Sequence, residues 1–123
     1  MSNPVVHFEI LGADHEALQQ YYRDLFGWKI TQPSSDMPYG VVNAEDQGKG
    51  IGGGVGGTMP GGSPQVTVYV EVDDIQASLD RAGELGGETV VPVTTIPGMV
   101  IFAQFKDPEG NIVGLVSSEM PAA

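Results

Sequence analysis

Two stretches of the chain place chemically useful side chains at alternate positions. In Val5-Val6-His7-Phe8-Glu9-Ile10-Leu11 they are His7 and Glu9; in Gln65-Val66-Thr67-Val68-Tyr69-Val70-Glu71-Val72 they are Gln65, Thr67, Tyr69 and Glu71. Alternate residues of an extended chain share a face, so the polar set of each stretch lies opposite Phe8 and Ile10 or the four valines. An imidazole near carboxylates and a phenol suits proton transfer around neutral pH, or hydrogen bonding to a polar ligand. Carboxylates on an inner face are costly if dry and unpaired, so Glu9 and Glu71 there imply water, a cationic ligand or a partner. Trp28, Tyr39, Tyr69 and Phe102 are candidates for an aromatic wall, although core packing explains Trp28 and Phe102 equally well. His7 also reads as a hydrogen-bonded strand histidine without chemistry, and His15, near a helix start, as a solvent-exposed residue.

The elements that must hold these residues follow from periodicity and punctuation. Residues 5–11 read as a strand. Asp14 is a good helix N-cap, and Leu18, Tyr21, Tyr22 and Leu25 recur at helical spacing before Gly27 stops the run. Strands are expected at residues 28–31 and 39–44, with a polar loop over 32–38 and a turn over 45–49. Ile51-Gly52-Gly53-Gly54-Val55-Gly56-Gly57 lacks both phosphate-binding fingerprints and is followed by residues that cannot start a helix. It reads instead as a glycine-rich strand that lets a backbone or a ligand come close. Residues 65–72 form the clearest strand. Asp73-Asp74 caps a second amphipathic helix that Gly86-Gly87 ends. A strand beginning at Thr89, a loop over 92–98 and a strand over 99–105 lead into a hairpin. There Asp107-Pro108-Glu109-Gly110-Asn111 makes the turn and residues 112–116 the last strand.

Composition bounds the alternatives. The 123 residues carry 16 acidic side chains against five Lys and Arg, a formal charge of −11, and no cysteine. Disulfides, thiolate metal sites and cysteine nucleophiles are therefore excluded. The acidic field disfavours nucleic acid and anionic membranes and, apart from keeping the protein soluble, attracts cationic ligands. No apolar run reaches the roughly 20 residues of a membrane helix, and no basic n-region precedes an apolar stretch, so a cytoplasmic location is expected.

A shift of 60 residues superimposes the two halves: Phe8 and Ile10 fall on Val68 and Val70, Asp14 on Asp74, Ala17 on Ala77, Leu25 on Leu85 and Gly27 on Gly87. Each half reads βαβββ and cannot cover both faces of its own sheet, so the halves are expected to share a sheet or a core. This order resembles the vicinal oxygen chelate (VOC) superfamily of glyoxalases, bleomycin-resistance proteins, fosfomycin-resistance enzymes and extradiol dioxygenases. The resemblance is carried by His7, by Gln20 to Trp28, by Val70-Glu71-Val72-Asp73-Asp74-Ile75, by Glu84-Leu85-Gly86-Gly87 and by Asp107 to Asn111.

It implies an α+β fold in which two tandem βαβββ modules form a curved mixed sheet with helices on the outer face. One VOC domain over residues 1–123 is expected, with module one about 4–57, a connector about 58–64 and module two about 65–118. It further implies a cavity between the modules, lined by the first and last strand of each, where metal-using members place His, Gln or Glu. On that match His7 takes the first ligand position, and Gln65 or Thr67 the equivalent in the second module. The last-strand carboxylates are replaced by Gly114 and by the run Gly52-Gly53-Gly54. Only His7 and Gln65 remain as ligands, fewer than the three a catalytic metal needs, unless Glu9 or Glu71 contributes in a new arrangement. No metal or other cofactor is therefore favoured, with Zn, Ni, Mn or Fe as the alternative. The expected function is metal-independent binding of a small molecule, by a homodimer with His7, Glu9, Trp28, Tyr39, Gln65, Thr67, Tyr69, Glu71, Phe102 and Gly114 at the pocket. The alternatives are a metal-dependent lyase, isomerase or dioxygenase, and a structural or regulatory dimer without a ligand.

Overall fold

The computed structural model describes residues 2–33, 37–59 and 61–119; parts of the expected loop 32–38 and connector 58–64 lie outside the described residues. The chain runs β1 (Val5–Gly12), α1 (His15–Phe26), β2 (Ile30–Thr31), β3 (Tyr39–Val42), β4 (Gly52–Gly57), β5 (Gln65–Val72), α2 (Ile75–Glu84), β6 (Glu88–Ile96), β7 (Val100–Lys106) and β8 (Ile112–Ser117). This is the α+β order of two tandem βαβββ modules. The described residues form two compact units, one within residues 7–67 and one of residues 2–6 with 68–119.

In the unit of residues 7–67 the strand order is β2-β3-β4-β1. β1 pairs β4 in parallel, while β4–β3 and β3–β2 are antiparallel. One face of these strands meets α1. Ile30, Val42 and Val55 form its buried core, with Phe8, Leu18, Tyr22 and Trp28 packed against them. The Asp14 carboxylate caps α1 by accepting from Ala17 N at 3.1 Å, and Gly27 closes it at φ 72° with its N–H on Arg23 O. Gln19 is buried on the apolar side, where its Nε2 donates to Val55 O at 2.9 Å and ties helix to strand.

In the other unit the order is β5-β8-β7-β6, again with the first and last strands parallel and the remaining pairs antiparallel. Val72, Ile75, Leu79, Ala103 and Leu115 form the core between α2 and the strands, joined by Val70, Ile101 and Phe105. Asp74 caps α2 through Ala77 N at 3.0 Å. The turn after α2 falls on Gly86, at φ 101°, rather than on Gly87, which the 60-residue shift pairs with Gly27. α2 has 10 residues against 12 in α1, so the correspondence of the halves slips at the helix ends.

Three expectations are corrected. The loop over 92–98 is largely strand: β6 continues to Ile96, with register shifts between Thr89 and Val91 and between Val91 and Thr94. Pro92 falls inside the second shift, on a terminal strand of its unit, where a missing N–H costs no ladder bond. β3 stops at Val42 and gives way to a 3-10 turn at Ala44–Asp46. Trp28 and Lys29 precede β2 rather than belonging to it.

Candidate functional site

The faces turned away from the helices carry the polar candidates, and the strand registers say which residues meet. On β1, His7 stands opposite Gly52 and Glu9 opposite Gly54. On the other side of β4, Tyr39 stands opposite Gly56 and Val41 opposite Gly54. Tyr39 therefore shares a face with His7 and Glu9. Its ring leans along β4 over Gly54, where an added Cβ would overlap it. That lean brings the phenol oxygen to His7 Nε2 at 2.8 Å, with the rings only 15° from parallel. Burial pushes the half-buried imidazole below its ordinary pKa, which favours the neutral form.

The glycines of β4 thus have separate causes. Gly54 makes room for the Tyr39 ring, Gly56 for the Pro38 carbonyl and the near edge of Tyr39, and Gly53, on the helix side, for the Phe8 ring. The expected close approach is real: aromatic rings of the same unit make it at Gly53 and Gly54, and backbone carbonyls of Val42 and Pro38 make it at Gly52 and Gly56.

In the unit containing β8, Tyr69 stands directly opposite Gly114, and Gly114 opposite Gln104. The Tyr69 ring lies over Gly114, so that an added Cβ there would overlap it, and the Tyr69 hydroxyl accepts from Gln104 Nε2 at 2.7 Å. Tyr69 is buried, 4% exposed. Glu71, Val116 and Phe102 form the next row along the same face. At the start of β5, in the unit of residues 7–67, Gln65 donates from Nε2 to Thr67 Oγ1 at 2.7 Å, and Thr67 is 2% exposed.

The structure therefore groups His7, Glu9 and Tyr39 on one face, and Tyr69, Glu71, Phe102, Gln104 and Gly114 on one face of the other unit. Trp28 is not on the His7 face. It packs with Phe8, Tyr22 and Phe26, at ring separations of 5.3, 5.2 and 5.2 Å, because Phe8 points to the opposite side of β1 from His7. Trp28 takes the core-packing alternative. Two polar residues were not anticipated. Gln104 is visible in principle through its alternation with Phe102. Gln19 is visible as a polar residue at helical spacing with Tyr22 and Phe26.

A divalent metal held as the VOC resemblance implies does not fit these residues. Gly114 and Gly54 supply no donor, and the space above each is filled by a tyrosine ring. Among the described residues no group of three His, Cys, Asp or Glu converges.

Fold and site together define a tandem βαβββ protein. Residues 7–116 match the family model described as a glyoxalase-like domain, and the chain belongs to that family. Among curated proteins it is 26% identical over 106 residues to CFP32 of Mycobacterium tuberculosis, provisionally named a glyoxylase, with 83% of this chain and 41% of that protein covered. It is 27% identical over 117 residues to the anthracycline biosynthesis protein DnrV of Streptomyces peucetius, with 84% and 42% covered. The chain thus spans about two fifths of the length of these relatives.

In fold it is similar to methylmalonyl-CoA epimerase from Mycobacterium tuberculosis, at TM-score 0.66 and 17% identity over 97% of this chain and 88% of that one. It is also similar to a glyoxalase/bleomycin resistance protein/dioxygenase superfamily member from Vibrio splendidus 12B01, at TM-score 0.63 and 18% identity over 95% and 100%.

Proposed function

We propose that this glyoxalase-like domain binds a small organic molecule without a metal, on the face that carries His7, Glu9 and Tyr39. The observation that carries the reading is the 2.8 Å bond between His7 Nε2 and the Tyr39 hydroxyl, with the Tyr39 ring seated on Gly54. It commits the histidine to a phenol and presents an aromatic surface beside a carboxylate. Such a surface suits a ligand with a flat or cationic part, which the charge of −11 also favours. Small organic ligands are in keeping with the fold, since one fold neighbour is a methylmalonyl-CoA epimerase in complex with methylmalonyl-CoA.

Isothermal titration calorimetry with a panel of aromatic, cationic and acyl-carrying compounds tests the proposal. At least one compound should bind, and His7→Ala should weaken it at least tenfold. A silent panel would remove this reading in favour of a structural or regulatory role.

We further propose that the protein is a cytoplasmic homodimer. No described helix is long and apolar enough to cross a membrane, and Tyr21, Leu25 and Phe26 on α1 are more than half exposed. Light scattering coupled to gel filtration should return twice the mass of 12.9 kDa.

A further inference from the structure

The two tyrosines reach their glycines by different routes. Tyr69 sits on β5 directly across from Gly114. Tyr39 comes from β3, is paired with Gly56, and reaches Gly54 along the strand. The positions they cover are nevertheless equivalent. Gly54 faces Glu9 across the parallel β1–β4 pair, and Gly114 faces Tyr69 across the parallel β5–β8 pair, and the 60-residue shift carries Glu9 onto Tyr69 and Gly54 onto Gly114. Each unit therefore carries in its last strand a glycine at the same register, under a tyrosine ring whose hydroxyl is bonded to a polar side chain. That side chain is His7 in one unit and Gln104 in the other. A simple loss of two carboxylates would leave gaps or water in their place; both spaces are filled by aromatic carbon.

We propose that Tyr39 and Tyr69 are the residues that exclude a divalent cation from this domain, each acting as one unit with its glycine. The ring occupies the space a last-strand carboxylate would need, and the hydroxyl engages the side chain beside it. What such a site admits is an organic ligand that hydrogen-bonds to hydroxyl and amide groups, rather than one chelated through a metal. The inference rests on the metal-independent reading above, and it deepens that reading by naming the residues responsible.

A pairwise coupling measured by thermal unfolding tests it, because a ring and the glycine under it cannot be independent. Gly114→Ala should lower the melting temperature by several degrees in the wild-type background, where the Cβ meets the Tyr69 ring. In the Tyr69→Ala background the same change should be neutral or stabilising, because the obstruction is gone and alanine suits a strand better than glycine. Gly54→Ala with and without Tyr39→Ala should repeat the sign change. If one single variant fails to fold, the other pair still supplies the comparison. Equal losses in both backgrounds would overturn the coupling.

Titration of the wild-type protein with ZnCl₂ and NiCl₂ should give no micromolar binding, and metal binding at that level with both tyrosines intact would overturn the exclusion. Failure of the organic panel to bind would defeat the functional proposal and leave this coupling standing. Additive effects alongside a bound organic ligand would defeat only the coupling.

Discussion

His7 and Tyr39 are joined by a bond that a sequence reading could not pair, since they lie 32 residues apart and the link depends on a tyrosine leaning along a strand. Their being on one face was legible for His7 and Glu9, whose alternation is local, and illegible for Tyr39, whose role depends on the glycines of β4. Tyr39→Phe keeps the ring over Gly54 and removes only the hydroxyl. It should cost about 1 kcal/mol, the usual net worth of a half-buried hydrogen bond. It should also change the tautomer balance of His7, read by long-range ¹H–¹⁵N NMR with His15 as the second histidine in the spectrum. An unchanged tautomer pattern would mean that the bond does not hold the imidazole.

The same residue predicts a pH dependence. Desolvation lowers the pKa of folded His7, so between its folded value and the ordinary value near 6.5 the unfolded chain binds more protons. The stability that comes from keeping His7 neutral is therefore complete above about pH 6.5 and is lost as pH falls through the folded pKa. Urea unfolding at several pH values should show a loss on acidification that is smaller in His7→Gln; parallel curves for the two proteins would contradict it.

At the scale of elements, the helices and most strands were legible because their signals are local. Asp14 and Asp74 both cap as expected, through Ala17 N and Ala77 N. Asp14→Ala and Asp74→Ala should each cost about 1 kcal/mol in chemical denaturation, and a negligible effect would mean that solvent caps these exposed ends equally well. The Asp107–Asn111 turn was also legible. Asp107 Oδ1 accepts from the N–H groups of Glu109 and Asn111, Oδ2 accepts from Asn111 Nδ2, and Gly110 takes φ 91°. The Asn111 side chain, then its backbone, hold the Asp107 carboxyl below its ordinary pKa.

What was not legible was non-local. β6 runs past Pro92 because its partner β7 supplies a ladder that tolerates the interruption, and no local propensity at residues 92–96 says so. The spacing of Gln19 with Tyr22 and Phe26 puts it on the apolar side of α1, but its partner, Val55 O, lies 36 residues away and has no local signal. Gln19→Leu should cost about 1 kcal/mol by removing that tie between helix and strand, measured as a shift in denaturant midpoint at constant m-value. A cost near zero would show that water replaces the amide.

For the molecule as a whole, charge is the property that composition dictates most directly. Sixteen acidic groups face five Lys and Arg, and two of those cations have local partners. Arg23 Nη2 donates to Ile30 O at 2.9 Å, and Arg81 pairs with Glu84 at 3.1 Å on an exposed turn of α2. Arg23 therefore answers a carbonyl rather than a carboxylate. An exposed pair such as Arg81–Glu84 is worth a few tenths of a kcal/mol and is weakened by salt. The larger effect of salt is on the unbalanced carboxylates, whose mutual repulsion opposes the compact state. At 10 mM ionic strength the screening length is about 30 Å, comparable with a small domain, and at 150 mM it is about 8 Å. Repulsion across the molecule is thus largely removed over that range, while the one-turn ion pair loses little. The melting temperature should rise by a few degrees as NaCl goes from 10 to 150 mM at pH 7.5. The affinity of any cationic ligand should fall over the same interval, because the field that attracts it is screened as well. A flat or falling melting temperature would show that the carboxylates are too widely dispersed to oppose folding, and would remove the electrostatic argument for a cationic ligand with it.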